Sequence, residues 1–562
     1  MNNENGRKRI WFVAAVALVL VLGAAVCLGR PAYRRYKERR SFTQARAFLA
    51  KGDYRNAVLC LRQTLSLNPA NVPAVRLMAD LAAEAQSPVA LAWRRRVAEL
   101  APTLDNKILL AATALRVEKT PFPITTQTLD EIRPAGGTNT AYHLVASQLA
   151  LRLNHLADAE THLQAAARLE PTNRLHQLNL ATLRLQSKNP DPAAAARQEL
   201  TALTSDPALD QYALRSLVAD SLMRRQWADA ETFSRQLLTN SRAQFADRVQ
   251  HLTVLQAAQS PELAAALAEL EQRAGTNIIQ IAQLLIWLNT HERAAHALTW
   301  LATLPAVTKS TPPIPLFEAD ACITLRDWAE LESRLQAERW GDQEFLRQAL
   351  LARALREQRR HDVANAVWAR AVVAASARPE LLVALAQLAS SWGWDTETEA
   401  LLWALVKRAP REQWPLQSLQ RGYMAKGNTA GLYRVYQALL EHDPQSVVAK
   451  NNVAASALLL QRDLHRAASL AREVYDADKT NAIFVSTYAF ALHVQGKSAE
   501  GLKLMQTLTD AELQRPEIAT YYALLLSTAG ERDKAKTFFD AAEKGQMLPE
   551  ERKLLAEAQR QN

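Results

Sequence analysis

The stretch KGDYRNAVLCLRQTLSLNP, Lys51–Pro69, decides how this chain is read. Ala45, Ala57 and Pro69 fall twelve residues apart, with Phe48, Gly52 and Tyr54 between the two alanines. That spacing is the plan of a helical hairpin. Two helices of about a dozen residues cross closely only where small side chains meet, and Ala45 and Ala57 supply them. Gly52 ends the first helix, where a left-handed backbone costs glycine nothing. Pro69 cannot continue the second helix and opens the next unit.

The plan recurs at a fixed interval, the mark of a repeat architecture. Ala45 and Ala79 are 34 residues apart, as are Gly393 and Gly427, Ala455 and Ala489, Ala489 and Ala523, and Gly496 and Gly530. In the last unit Ala523, Gly530, Ala535, Phe539 and Ala542 take the places filled in the first. Each helix also carries an apolar stripe; Tyr522, Leu525, Leu526 and Ala529 are spaced i, i+3, i+4, i+7. A lone hairpin cannot bury both faces, so neighbours must stack.

On these residues the chain resembles the tetratricopeptide repeat (TPR) family, which has a period of about 34 residues. Family members carry small residues at the crossing positions and a proline near the end of each unit. Lys51–Pro69 matches closely, as does LADAETHLQAAARLEP (Leu156–Pro171) with Ser147 ahead of it. Gly427 to Pro444, preceded by Tyr423, follows the Ala386/Gly393 unit, and AGERDKAKTFFDAAEKG (Ala529–Gly545) closes the series. The resemblance implies an all-α fold, a right-handed α-α superhelix or TPR solenoid, with about a dozen units between residues 41 and 548. Two stretches break the phase, 117–140 and 304–316, and the second holds four prolines. We therefore expect an N-terminal lobe over 41–303, a Pro-rich linker or hinge at 304–316, a C-terminal lobe over 317–548 and a polar capping helix over 549–562. Units between about 243 and 345 match poorly and are inferred from helical periodicity and phase alone.

Composition agrees with an all-α class. Of 562 residues 49% are hydrophobic and 22% charged, so the chain folds, and only 16 glycines occur. Ala and Leu recur throughout, which favours helix over strand. The net charge of +10 is concentrated at one end. Residues 1–40 hold nine basic groups against Glu4 and Glu38, a net of +7, leaving +3 for residues 41–562. A nucleic-acid-binding face is therefore not indicated. Cys27, Cys60 and Cys322 are too few and scattered for a disulfide framework and read as small hydrophobes.

The basic groups flank IWFVAAVALVLVLGAAVCLG, Ile10–Gly29, twenty residues without a charge. About 20 apolar residues cross a hydrocarbon core, so this run predicts one N-terminal transmembrane helix behind a basic tail, 1–9. A cleaved signal peptide is the alternative. Its apolar region would be about 7–15 residues ending at a small-residue site, whereas this run leads directly into RPAYRRYKERR. The juxtamembrane stub over 30–40, with Tyr33 and Tyr36 among the arginines, suits anionic lipid near Arg30–Arg40. A single-pass inner (cytoplasmic-type) membrane protein follows. Six basic residues after the span against three before it favour a cytoplasmic array over a periplasmic one.

No catalytic constellation emerges. His291–Glu292 with His296 is H-E-x-x-x-H; histidines five apart diverge by about 140° on a helix and cannot share one zinc. There is no C-x-x-C pair, glycine-rich phosphate loop or G-x-S-x-G elbow. No metal, cofactor or small-molecule substrate is indicated, and an enzyme is not expected. Nine of the twelve tryptophans lie between Trp287 and Trp414, and the favoured reading has them filling gaps between helices rather than anchoring a partner. The arginines at 94–96 and at Arg353, Arg356, Arg359 and Arg360 are read as solvated helix faces in preference to grips on an acidic peptide.

The resemblance further implies that first helices line a concave groove binding a peptide segment or helix of other proteins. Carried onto the well-phased units, the groove positions fall on Gln417, Arg421, Asn452, Ser456, Ser486, Phe490, His493 and Thr520. No Lys and Asn set matches the family's clamp for carboxylate-ended peptides. The expected role is a membrane-anchored scaffold for protein–protein interaction. The alternative is an envelope-assembly or polysaccharide-export/secretion component with its array on the periplasmic side.

Overall fold

The computed structural model describes residues 32–187, 189–337, 339–410 and 412–561. The basic tail, the Ile10–Gly29 run, Arg30 and Cys27 lie outside these residues. Among the described residues all regular structure is helical, and no helix is long and apolar enough to cross a membrane. The expected single-pass membrane placement is corrected on that finding.

The chain divides into two compact units, Met1–Trp287 and Leu288–Asn562, and the division falls inside the helix Ile278–Thr290. The first unit stacks seven described hairpins, here hairpins 1 to 7: residues 32–67, 72–100, 104–136, 140–169, 174–203, 210–239 and 245–274. The second opens with Ala294–Thr303 and a short helix, Ala306–Ser310. It continues through hairpins 8 to 14: 314–337, 344–375, 379–408, 414–442, 447–477, 482–505 and 516–542. A last helix, Pro549–Gln561, follows. The array exceeds the dozen units legible in the sequence. Residues 117–140 contain the ordinary second helix Pro123–Gly136, and 304–316 contain Ala306–Ser310 and the start of Ile314–Leu325.

Local chemistry sets each hairpin. Asp53 and Asn71 cap their helices by accepting from the backbone N–H of Asn56 and Ala74, satisfying donors a helix start leaves open. Ala45, Ala57, Ala79, Ala489, Ala523 and Ala535 have no exposed surface, as small residues at a helix crossing require. At Gly501 backbone meets backbone; a Cβ there would lie 2.7 Å from the Ala489 carbonyl oxygen.

The turn between the two helices of a pair carries a second, independent period. It needs one left-handed residue, which is Gly52 in the first hairpin (φ +73°) but Gln86 in the next (φ +50°). From Arg225 the series runs through Gln259, Glu292, Arg326, Arg359, Gly393, Gly427, Gln461, Gly496 and Gly530 at intervals of 33 to 35 residues. Stacking thus imposes the turn on residues that disfavour it, at a cost of about 1–2 kcal/mol each. The repeat persists through 243–345, where the side-chain pattern fades.

Within each unit, first helices of successive hairpins touch: Leu104–Val117 meets Thr140–Arg152, and Val447–Leu459 meets Ala482–Val494, which meets Pro516–Thr528. Second helices do not approach one another as closely, so each stack curves with its first helices inside.

Candidate functional site

The inner face of hairpins 11 to 14 is the best-built site, because a helix already lies in it. Pro549–Gln561 touches the first helix of hairpin 14. At its start, Gln546 Nε2 donates to the Met424 carbonyl at 3.1 Å, and the Thr429 hydroxyl donates to Glu550. Pro549 carbons sit 3.2–3.3 Å from where a Cβ on Gly427 would be. These partners belong to hairpin 11, some 120 residues earlier in the chain. In the first turn the Tyr521 hydroxyl also donates to Glu551 at 2.7 Å, and near the end Ser527 Oγ donates to the Ala558 carbonyl at 3.0 Å. Both belong to hairpin 14. The terminal helix therefore bridges hairpin 11 to hairpin 14.

The helix inserts Leu555 and Ala558, each 4% exposed, into the core shared by these hairpins. They are three apart and so share a face. Glu551 also accepts from the Leu548 N–H at 2.8 Å, capping the helix it belongs to. Burial, with Glu551 beside it, holds the Tyr521 phenol well above its ordinary pKa, so the hydroxyl stays a donor. The groove offers neutral donors, and the helix answers with acidic acceptors in its first turn.

The sequence-derived groove residues divide three ways. Gln417 and Arg421 are exposed on Trp414–Lys426, and Asn452 and His493 are half-buried. Ser456, Ser486, Phe490 and Thr520 are buried, as are Thr429 and Tyr521, which touch the terminal helix. Ser456 and Thr520 hydroxyls donate to carbonyls one turn back, at Asn452 and Pro516. Phe490 lies with its ring centroid 4.7 Å from that of Tyr521, directly beneath the contact with the terminal helix. Burial lowers the His493 pKa, and its Nδ1 lies 2.9 Å from Ser498 Oγ. Thr429, Tyr521 and Ser527, which touch the terminal helix, are not among the sequence-derived residues, because 549–562 read as a plain polar cap. The signal was there in Leu554, Leu555 and Ala558, an apolar face on an otherwise charged helix.

The first unit leaves apolar side chains uncovered near the starts of three helices: Leu175 (46% exposed), Tyr212 (47%) and Ile279 (71%). Polar links join neighbouring first helices directly, including Thr182 to Ser216 at 3.2 Å and Arg215 to Asp247 through two bonds of 2.7 and 2.9 Å.

Three further concavities have mixed linings. One of about 620 Å³ holds Asp80, Glu84, Arg94 and Arg116; Arg94 binds Asp80 at 2.8 Å, and its Nε and Nη1 are buried without hydrogen bonds. One of about 480 Å³ contains His143 and His162, whose Nδ1 atoms lie 2.9 Å apart; burial and then His143 lower the His162 pKa. One of about 430 Å³ is lined by Pro312, Pro313, Pro315 and Trp340. Among the described residues no group of three His, Cys, Asp or Glu is arranged to hold a metal. The tryptophans pack: Trp368, Trp392 and Trp394 meet edge to face, with Arg353 over Trp328 and Trp392 and Arg356 over Trp394.

No family model matches the chain, and no curated protein matches it. Among solved structures it is similar to a tetratricopeptide repeat protein from Parabacteroides merdae at 16% identity. That match covers 43% of this chain and 96% of the other, with a TM-score of 0.25. It is also similar to Naa15/Naa10 bound to HypK-THB at 14% identity, covering 93% of this chain and 79% of the other, again with a TM-score of 0.25.

Proposed function

We propose that this array of TPR-like hairpins is a protein-binding scaffold whose inner face takes a helical segment of a partner. One observation carries the reading: in the second unit that face already holds a helix, seated by Leu555 and Ala558 and by donors from hairpins 11 and 14. A surface that accepts its own helix has the depth, donors and apolar floor that helix-in-groove recognition uses. Exposed Leu175, Tyr212 and Ile279 extend apolar character along the first helices of the first unit. The role is binding rather than catalysis.

The test is site-specific photo-crosslinking in cells that make the protein. Photoreactive side chains go at Tyr212, Ile279, Gln417 and Arg421 on first helices, and at Arg472 and Lys534 on second helices. The reading expects a discrete adduct with one partner from first-helix sites and none from the others. Adducts confined to the second helices would refute it.

A further inference from the structure

We infer that Pro549–Gln561 is an exchangeable occupant of the inner face of hairpins 11 to 14, and that a partner helix of matching chemistry takes its place. This rests on the scaffold reading and specifies the ligand. The matching helix starts with a proline and two acids, carries a Leu-x-x-Ala stripe, and is otherwise charged and polar.

The contrast between the terminal helix and its neighbours argues for exchange. Pro516–Thr528 buries nine of thirteen residues, from Ile518 through Leu526, and is part of the stack itself. Pro549–Gln561 buries only Leu555 and Ala558, while Arg552, Lys553, Ala556, Glu557, Gln559 and Arg560 are exposed. Its link to the stack is the short segment 543–548. Removing it leaves hairpins 1 to 14 with every helix still paired. Segments with few buried contacts open at lower free energy than the core around them, and this helix is the clearest such segment in the second unit.

The groove selects for chemistry as well as shape. The Thr429 and Tyr521 hydroxyls both present donors where the terminal helix presents Glu550 and Glu551. A basic first turn would leave those donors facing cations, and with Tyr521 buried that mismatch is not relieved by water. Gly427 leaves room for the Pro549 ring, which a side chain at 427 would contact at 3.2 Å. The terminal helix competes from a short tether, which gives it a local concentration on the order of millimolar. An incoming helix must exceed that, so the groove opens only to a strong or abundant partner.

The experiment uses the full chain and a synthetic peptide of residues 546–562. Hydrogen exchange is followed over 549–561 and 516–528 as peptide is added to millimolar concentration. The inference expects exchange over 549–561 to accelerate at least threefold while 516–528 is unchanged. A peptide carrying Glu550→Arg and Glu551→Arg should have no effect. In the full chain bearing Glu550→Arg and Glu551→Arg, labelled wild-type peptide should bind at least tenfold more tightly than to the wild-type chain. Unchanged exchange over 549–561, together with equal peptide binding to both chains, overturns the inference. If the chain's mass doubles while 549–561 stays protected, the groove's occupant is a second copy, which also overturns it. If this experiment fails while first-helix positions still crosslink a partner, the exchange is refuted and the scaffold reading stands.

Discussion

Replacing glycine by alanine inside a helix usually stabilises it, and two glycines of the second unit should give opposite signs. At Gly422, on Trp414–Lys426, an added Cβ meets nothing within 4 Å. Gly422→Ala should therefore gain the ordinary helix preference of alanine, about 1 kcal/mol. At Gly501, on Ser498–Met505, the same Cβ would lie 2.7 Å from the Ala489 carbonyl oxygen and 3.3 Å from Leu525 Cδ2. The leucine can turn aside, but the carbonyl belongs to the crossing helix and moves only with it. Overpacking of this kind costs about 1–3 kcal/mol, and a backbone contact belongs at the upper end. After subtracting the alanine gain, Gly501→Ala should destabilise hairpin 13 by about 2 kcal/mol, roughly thirtyfold in its opening constant. Long arrays do not unfold in one step, so the assay is native-state hydrogen exchange resolved to hairpins 11 and 13. Equal stabilisation by the two substitutions would refute close crossing at the small positions, and with it the packing argument for the whole array.

Left-handed turns offer a second check: Gln86→Gly and Arg359→Gly, at φ +50° and +62°, should each stabilise by about 0.5–1 kcal/mol once the added freedom of the unfolded chain is counted. Native-state hydrogen exchange over hairpins 2 and 9 reads this directly. Arg215→Met removes the two bonds to Asp247, which is 4% exposed. It should cost about 1–3 kcal/mol, seen as faster exchange over Phe245–Ala257. Burial lowers the pKa of His162, His251 and His493 below the ordinary 6.5. The unfolded chain then binds more protons, so their stability contribution is present above pH 6.5 and is lost as pH falls through the folded values. Glu170 and Glu344, each held down to about 2 chiefly by side-chain hydrogen bonds, lose theirs only at lower pH. Local stability of hairpin 7, read by hydrogen exchange, should be flat above pH 7 and fall as pH drops below 6.5, with a shallower fall in the Ser234→Ala, His251→Phe double variant. An equally steep fall in that variant counts against a histidine origin.

The fold was readable where sequence and backbone spoke together. Gly52, Gly393, Gly427, Gly496 and Gly530 mark turns that only glycine adopts freely, and Ala45, Ala489 and Ala523 mark crossings. Through 243–345 the same turn falls on Gln259, Glu292 and Arg326, residues that carry no turn signal of their own. Stacked neighbours impose the left-handed conformation there, so the period survives in the backbone after it has left the side chains. The site was harder to read. Position within a unit selects Gln417 and Arg421, which are exposed on a first helix, but it cannot register a contact across some 120 residues. Phe490 and Thr520 are buried by long-range packing with Tyr521 and the stack around it, which no single unit contains. The apolar Ile10–Gly29 run lies outside the described residues, and the described helices supply no span.

Contact of the terminal helix with hairpin 11 can be measured directly. Cysteines at Thr429 and Glu550, whose side chains are hydrogen-bonded, test it in a full chain with Cys27, Cys60 and Cys322 replaced by alanine. A short bismaleimide should close the intramolecular link rapidly in the native protein and not in denaturant. If no link forms in the native protein, while one between Ser527→Cys and a cysteine at Ala558 does form, the helix is only a cap on the last hairpin, and the groove has no occupant.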